Sequence, residues 1–543
     1  MKKIFSNVKS NIICVVSAVW LLGLTAVYPF YMENGYDRIG EAKFHFFFGW
    51  ILSGTVLMLL AFFIDRILKR DGSKEKLMPE QKCETDPKMK KPKGERVKRE
   101  DAMVIRGVTL FGATSVLSFC FSSFRGSAFW GFDGWNMGLF SQLSFLLILL
   151  FARTFSRDLR KLMWVSMIAS GTVVFFLGIL NRFQVYPIHL SGEGSLYLST
   201  LGNINWYSGF WAILYPVMAY WFIRVKKDTG MFWLSGIAIL IATVTGITQG
   251  SNCAWIVFGV TYYVLLRSAF KAEDEKPLLR WIILAGIFPV SMIACRVIGI
   301  LCHENITYES EFLKALTRMD MIWLPGLIGI ALIAGAYMAC YYFRPSAKVR
   351  GGFLVGADSA CLVSALMFVV LILCNTAAGN HLWPVGGISW FYFGDGWGNA
   401  RGIIWKDTIR SMRGMGIRSL LLGVGPDCYA YHMYSIPAIS EHMGLWFGNA
   451  ILTCAHCEML TMLINEGILG LIGYVWIFAA AWMCLGKRQE EEGTAAQAQL
   501  IRLCILSYLC HNLFSFQQII STPVIFLLIG AGMSLCKSGD IYE

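Results

Sequence analysis

The sequence predicts an all-α polytopic membrane protein, and three observations carry that expectation. Of its 543 residues, 56% are hydrophobic and only 15% are charged, against roughly 45–50% apolar and 25% charged in soluble domains. The apolar residues run in windows of about 20, the length of helix that crosses a bilayer. The lysines and arginines are shared unevenly between alternate connecting loops, as membrane insertion requires.

Taken in order, the windows are 11–31, 44–65, 102–123, 139–155, 163–180, 207–223, 231–248, 254–267, 281–301, 322–343, 354–375, 458–486, 501–516 and 518–536, fourteen in all. The first follows Lys2, Lys3 and Lys9. Its end, Tyr28-Pro29-Phe30-Tyr31, lacks the small residues of a signal-peptide cleavage site, so it reads as a retained span. With the N-terminus inside, the short cytoplasmic segments carry 18 Lys and Arg and the short outer loops 6. Both termini are therefore expected in the cytoplasm of a multi-pass membrane protein.

The formal charge of +12 would suit a nucleic-acid binder, but thirteen of the basic residues lie in 66–101, which has no aromatic residue. Such a segment cannot bury a core, and it is expected to be a disordered cytoplasmic linker that touches anionic lipid, with no nucleic-acid partner. Most of the sixteen cysteines sit inside apolar runs, where a thiol is a small hydrophobe. The chain divides into two N-terminal spans (1–65), the basic linker (66–101), spans three to eleven (102–375), a long external segment (376–457), and three final spans with a cytoplasmic tail (458–543).

The external segment is rich in Gly and Trp and holds two amphipathic stretches, Ile403–Met412 and Ile417–Leu422. Loops of this length are uncommon unless functional. No GxxxxGK[ST] phosphate loop and no HExxH occurs anywhere in the chain, which disfavours ATP-driven transport and metalloprotease chemistry. Within the segment, Arg401 follows Gly398-Asn399-Ala400 and opens an amphipathic stretch. Its planar fork is suited to phosphate oxygens. Arg410, Arg413 and Arg418 follow, as expected either of a phosphate site or of a lipid headgroup contact.

Two further pieces complete the pattern. Leu422-Gly423-Val424-Gly425-Pro426-Asp427 reads as a tight glycine turn. His456, in Ala455-His456-Cys457-Glu458, stands at the outer mouth of a span, where an imidazole can take a proton from a substrate at the membrane surface. Glu466 is expected about 15 Å deeper by helical rise, an ionisable group that defaults to a functional or paired role. Trp397 and Trp405 either stack on sugar rings or anchor at the interface. Cys454 and Cys457 flank the histidine, but a lone CxxC does not supply a zinc ligand set. Neither a metal nor a cofactor is expected.

The small-Arg-x-x-x-Trp piece (Arg401, Trp405), the Leu-x-Gly-x-Gly-Pro piece (Gly423, Gly425, Pro426) and the His-x-Glu…Glu-Gly-x-x-Gly piece (His456, Glu466, Gly467, Gly470) together resemble the O-antigen ligase/polymerase family of bacterial membrane glycosyltransferases. Weaker matches are Gly202-Asn203-Ile204-Asn205 and His511-Asn512-Leu513-Phe514. The resemblance covers about 100–536 and is strongest over 395–475. It implies a fold like that of the C-type glycosyltransferases and transfer of glycan from a polyprenyl-diphosphate carrier to a hydroxyl on a glycan, lipid or protein acceptor, at the outer face of a bacterial cell membrane. It further implies that Arg401 engages the diphosphate and His456 serves the acceptor or leaving group. Trp397, Trp405, Arg410, Asn203, Gly423, Gly425 and Glu466 are carried as candidate substrate contacts.

Two departures stand out. Gly250-Ser251-Asn252-Cys253 replaces the family's frequent Ser-Arg, leaving Arg182, Arg410 and Arg413 as candidates for a second phosphate-binding cation. Cys457 stands where the family's histidine is usually followed by Asn. The competing expectations are a transporter or flippase of lipid-linked glycan, and a peptidoglycan polymerase of the shape-and-division type. The first is disfavoured because the polar residues concentrate in one external segment and no half-to-half symmetry is apparent.

Overall fold

The computed structural model describes residues 2–73, 93–192, 194, 197–227, 229–272, 274–301, 311–488 and 494–535. The described residues are all-α apart from one two-residue antiparallel pairing of Tyr197–Leu198 with Gly202–Asn203. Helices α1 (Lys2–Leu22), α2 (Ile39–Ser73) and α3 (Lys93–Phe121) are followed by a short α4 (Arg125–Trp130), α5 (Leu139–Ala152) and α6 (Arg157–Arg182). Next come α7 (Ile204–Arg224), α8 (Gly230–Thr248), α9 (Cys253–Lys271), α10 (Lys276–Leu301), a short α11 (Glu311–Arg318), α12 (Trp323–Phe343) and α13 (Ala347–Ala377).

Among the described residues ten segments are long and apolar enough to cross a membrane, which makes the chain polytopic: those of α1, α2, α3, α6, α8, α9, α10, α12, α13 and 467–487. Helices α5 and 522–534 are apolar but shorter, and α7 and 495–512 fall at two more of the expected windows. The layering follows from which faces are covered. Helix α7 is buried on nearly every side, including Trp211, Tyr215 and Pro216, as an aromatic-rich helix must be when it forms the centre of a bundle. Helices α12 and α13 bury only 6% of their apolar windows inside the protein, against 56% for α6. They form the lipid-facing edge, where hydrocarbon and not water is the solvent.

The basic linker departs from expectation at both ends, because α2 continues to Ser73 and α3 begins at Lys93. Extending a formed helix is far easier than nucleating one, and Lys, Arg and Glu are good helix formers. Residues 74–92 of that linker, and the tail from 536, lie outside the described residues.

The segment after α13 folds as a unit of its own. Helices α14 (Trp397–Met412), α15 (Ile417–Leu422), α16 (Tyr429–Tyr434) and α17 (Pro437–Phe447) follow one another; α14, α16 and α17 enclose Ile403, Ile404, Tyr429, Met433, Ile439 and Met443, while α15 packs on α3. The expected span 458–486 is two helices, α18 (Glu458–Asn465) and α19 (Gly467–Arg488), broken where Gly467 takes a φ of +68°. Helices α20 (Ala495–Asn512) and α21 (Thr522–Ser534) complete the bundle. Principal pairings are α3 with α19, α5 with α21, α6 with α8, and α7 with α20.

Candidate functional site

The helix break fixes the site's frame. Val424 and Gly425 donate their backbone N–H groups to Ile464 O and Asn465 O at 3.0 and 3.1 Å. The hydroxyls of Ser118 and Ser122, at the end of α3, bind Asn465 O and Val424 O at 2.8 and 2.7 Å. This close approach needs glycine. A Cβ on Gly423, whose φ is +81°, would lie 2.2 Å from Asn465 O, and one on Gly467 2.4 Å from the Leu421 carbonyl carbon. The two glycine motifs, 44 residues apart in the chain, are thus two halves of one joint. Gly423 and Gly425, carried as candidate substrate contacts, are placed here in the packing of this joint.

Arg401 opens the regular part of α14 directly after a left-handed turn at Gly398, Asn399 and Ala400. That turn aims its side chain at the loop between α20 and α21, where Nε and Nη2 donate to Phe514 O at 3.1 and 2.8 Å. Nη1 donates to Gly398 O. Of a guanidinium's five N–H donors, two remain uncommitted among the described residues. Cys253, at the segment where the resemblance leads one to expect a second arginine, points its thiol at the same Phe514 carbonyl, 3.7 Å away.

His456 meets the same loop two residues further on, its ring edge-on to Phe516 at 5.2 Å. Its backbone is held in the left-handed region, φ +49°, an uncommon conformation for a non-glycine residue. The preceding residue enforces it: Ala455 O accepts from Trp405 Nε1 and Ala455 N donates to Thr461 Oγ1, both at 3.0 Å. Nδ1 lies 3.5 Å from both the carbonyl and the thiol of Cys454, at the limit of hydrogen bonding. A proton on Nδ1 is directed there, leaving the lone pair on Nε2, which makes no hydrogen bond among the described residues. Burial, and then the Arg401 charge, lower the imidazole from 6.5 to about 4. It is therefore neutral at ordinary pH. Burial pushes the Cys454 thiol up to about 12, so that group is neutral too.

Trp397 and Trp405 form the wall of the site with Phe393 and Phe514, Trp405 stacking on Phe514 at 5.9 Å. Their indole N–H groups are used internally, on Trp390 O and Ala455 O. Glu466 sits at the helix break and not inside a continuous span, because Gly467 ends the α18 ladder. It lines a small cavity of about 30 Å³ with Asp427, Cys454, Glu458, Gln142 and Gln517, room for about one water. Neither Glu466 oxygen has a geometric hydrogen-bond partner, and the Ser115 hydroxyl beside it is donated to Phe111 O.

Two expected members lie elsewhere. Arg410 pairs with the buried Asp407 at 2.9 Å, and Asp407 also holds His442 Nδ1 at 2.8 Å. This ties α14 to α17 on a different face from Arg401, since residues nine apart on a helix point in different directions. Asn203 caps α7, its Oδ1 accepting from Asn205 N at 2.8 Å. It nevertheless begins the turn that meets the Phe514 loop, because Gln518 Nε2 donates to Asn205 O at 2.8 Å.

Sequence reasoning missed the partners that come from α20. Glu458 is fully buried and accepts from Tyr474, Tyr508 and Asn512. Asn512 Nδ2 is the donor there, so its Oδ1 accepts from His511 Nδ1 at 2.7 Å. His511 Nε2 is then the acceptor for Ser208 Oγ on α7, at 3.0 Å. The chain of donors runs in one direction, Ser208 to His511 to Asn512 to Glu458, and anchors the helix end from which the Phe514 loop departs. The adjacent His-Asn pair was the signal for it.

Neither the protein-family models nor the curated proteins include one that this sequence matches.

Proposed function

We propose that the chain is a metal-independent membrane glycosyltransferase that moves glycan from a polyprenyl-diphosphate carrier to an acceptor hydroxyl, as a ligase or polymerase of surface polysaccharide. The single observation that carries the reading is that Arg401 and His456 meet the same loop, at Phe514 and Phe516. One presents uncommitted guanidinium donors, the other a neutral imidazole with a free Nε2.

In this reading the acceptor oxygen attacks the anomeric carbon, the bond from that carbon to the diphosphate oxygen breaks, and polyprenyl diphosphate leaves with the bonding pair. Negative charge grows on the leaving diphosphate, where the Arg401 fork stabilises it. The acceptor proton passes to His456 Nε2. Arg182 is the candidate for the second cation. It is buried at the end of α6 and donates to Gln249 O, beside the Gly250–Cys253 segment that reaches Phe514. Arg410, beside Asp407, lies on a different face of α14 from Arg401. The reading also takes the fourteen windows as fourteen crossings of a bacterial cell membrane, with both termini cytoplasmic and the 376–457 segment outside.

The test is transfer by the purified full-length protein in proteoliposomes carrying a polyprenyl-diphosphate-linked oligosaccharide, scored by release of polyprenyl diphosphate and growth of the acceptor. Release that requires Arg401 and His456 supports the reading. Movement of intact lipid-linked glycan across the bilayer without release would replace it with transport.

A further inference from the structure

A second pocket lies across the glycine joint from the Arg401–His456 site. Its volume is about 490 Å³, and its walls come from the end of α3, the α14–α15 turn, the Gly423–Val424 turn and helices α16 and α17. Volumes of this size suit a small-molecule group. No acidic residue lines it, whereas Arg410, Arg418 and His432 do, together with the hydroxyl-bearing Ser419 and Ser435.

Arg418 has no ion pair or hydrogen bond among the described residues and lies over the Phe121 ring, 5.5 Å from its centroid. Asp407 engages Arg410 through Nη1 alone. His432 Nε2 is buried without a hydrogen-bond partner. Arg418 and His432 thus offer donors that lack a partner, and Arg410 keeps donors beyond the one that Asp407 engages. The surface next to the pocket has the opposite character. Phe121, which lines the pocket, and its neighbours Leu117 of α3 and Ile417 and Leu421 of α15 are exposed, Ile417 at 78%, and Leu117 and Phe121 belong to the apolar surface of the α3 membrane span.

We propose that this pocket binds the phosphate of a membrane lipid, with Arg410 and Arg418 on the phosphoryl oxygens and the acyl chains descending along Leu117 and Phe121. A cationic cup above an apolar strip matches a molecule that is anionic at one end and hydrocarbon at the other. A free anion would use only half of the surface. The assignment needs a membrane face but not the glycosyltransferase reading, so it stands or falls separately from that reading.

Native mass spectrometry of the full-length protein in detergent, with added phosphatidylglycerol or the phosphate-free diacylglycerol, tests it. One retained phosphatidylglycerol is expected at concentrations where diacylglycerol is not retained. Arg418→Gln should weaken retention at least about ten-fold, and Lys226→Gln, at the far end of α7, should leave it unchanged. Ser435→Trp, which fills the pocket and keeps both arginines, should abolish it even if the arginine variant folds poorly. Displacement by millimolar inorganic phosphate would identify the phosphoryl group as the part recognised. Equal retention of both lipids, or retention untouched by Arg418→Gln and Ser435→Trp, overturns the proposal. Arginine-dependent binding of inorganic phosphate with no lipid retained would reduce the pocket to a site for the free anion.

Discussion

Arg401 and Phe514, 113 residues apart, are joined by two hydrogen bonds from one guanidinium edge to one carbonyl oxygen, 3.1 and 2.8 Å long. Only a planar fork makes that pair while leaving further donors free. A lysine retains the charge but supplies a single point of contact. Arg401→Lys is therefore expected to lose glycan transfer nearly as completely as Arg401→Ala, by about 10²-fold or more. Near-normal transfer by the lysine variant in proteoliposomes would make Arg401 a generic interfacial cation.

The glycine joint makes a prediction about assembly. Gly423→Ala places a Cβ 2.2 Å from Asn465 O in a residue with φ +81°, adding about 1–3 kcal/mol of backbone strain to the clash. Gly416→Ala, a few residues away, meets nothing within 4 Å. Thermal unfolding in detergent should show Gly423→Ala clearly destabilised and Gly416→Ala close to wild type. Equal midpoints would mean that the turn does not dock on the helix break.

How much of this was legible in the sequence depends on where the polar atoms come from. The helices follow from apolar windows, and Arg401, Trp405 and His456 announce themselves by residue type. The break after Glu466 does not, because 458–486 has the length of one span and the joint is made by Gly423, far away in the chain. The Phe514 carbonyl is equally silent, since a backbone acceptor leaves no trace in residue identity. Residue type likewise does not say which face of α14 Arg410 takes, and it lies beside Asp407 and away from Arg401.

The Glu458 network predicts a positioning effect. Asn512→Ala removes one donor from a buried carboxylate and frees His511 from its orienting partner. A buried group left short of a partner costs about 1–3 kcal/mol. Lower stability and a transfer rate reduced about ten-fold are expected, with the pH dependence of transfer unchanged, because Asn512 touches neither Arg401 nor His456. A shifted pH profile would place Asn512 in the proton path instead.

Asp427 makes a prediction about stability. Burial raises its carboxyl from 3.8 to about 7, against the opposing effect of the Phe132 and Met137 N–H groups on Oδ2. The folded state therefore holds a proton that the unfolded chain releases near 3.8. Stability is intact below that value and is lost as pH rises towards about 7, by a few kcal/mol at most. Asp427→Asn keeps an oxygen for the two N–H groups and removes the titration. Its unfolding midpoint should overtake that of wild type as pH rises from 4 to 8. A constant offset across that range would show that Asp427 is ionised in the fold.

For His456 the sign is reversed, and the expected outcome concerns rate. Burial and the Arg401 charge lower its conjugate acid to about 4, so the neutral base persists down to that pH and transfer should fall only as pH drops through it. His456→Ala should cost about 10²- to 10⁴-fold in rate, with normal amounts of protein in the membrane, and should flatten the acid limb that belongs to the imidazole. Cys454→Ser should be mild, since its neutral thiol only neighbours Nδ1 at 3.5 Å, and a chelator should leave transfer unchanged. Transfer that falls instead with a midpoint near 6.5 would mean that the ring is solvated during turnover, and full activity in His456→Ala would end its assignment as the base. Equal damage from the chelator, Cys454→Ser and His456→Ala would replace the base with a metal site.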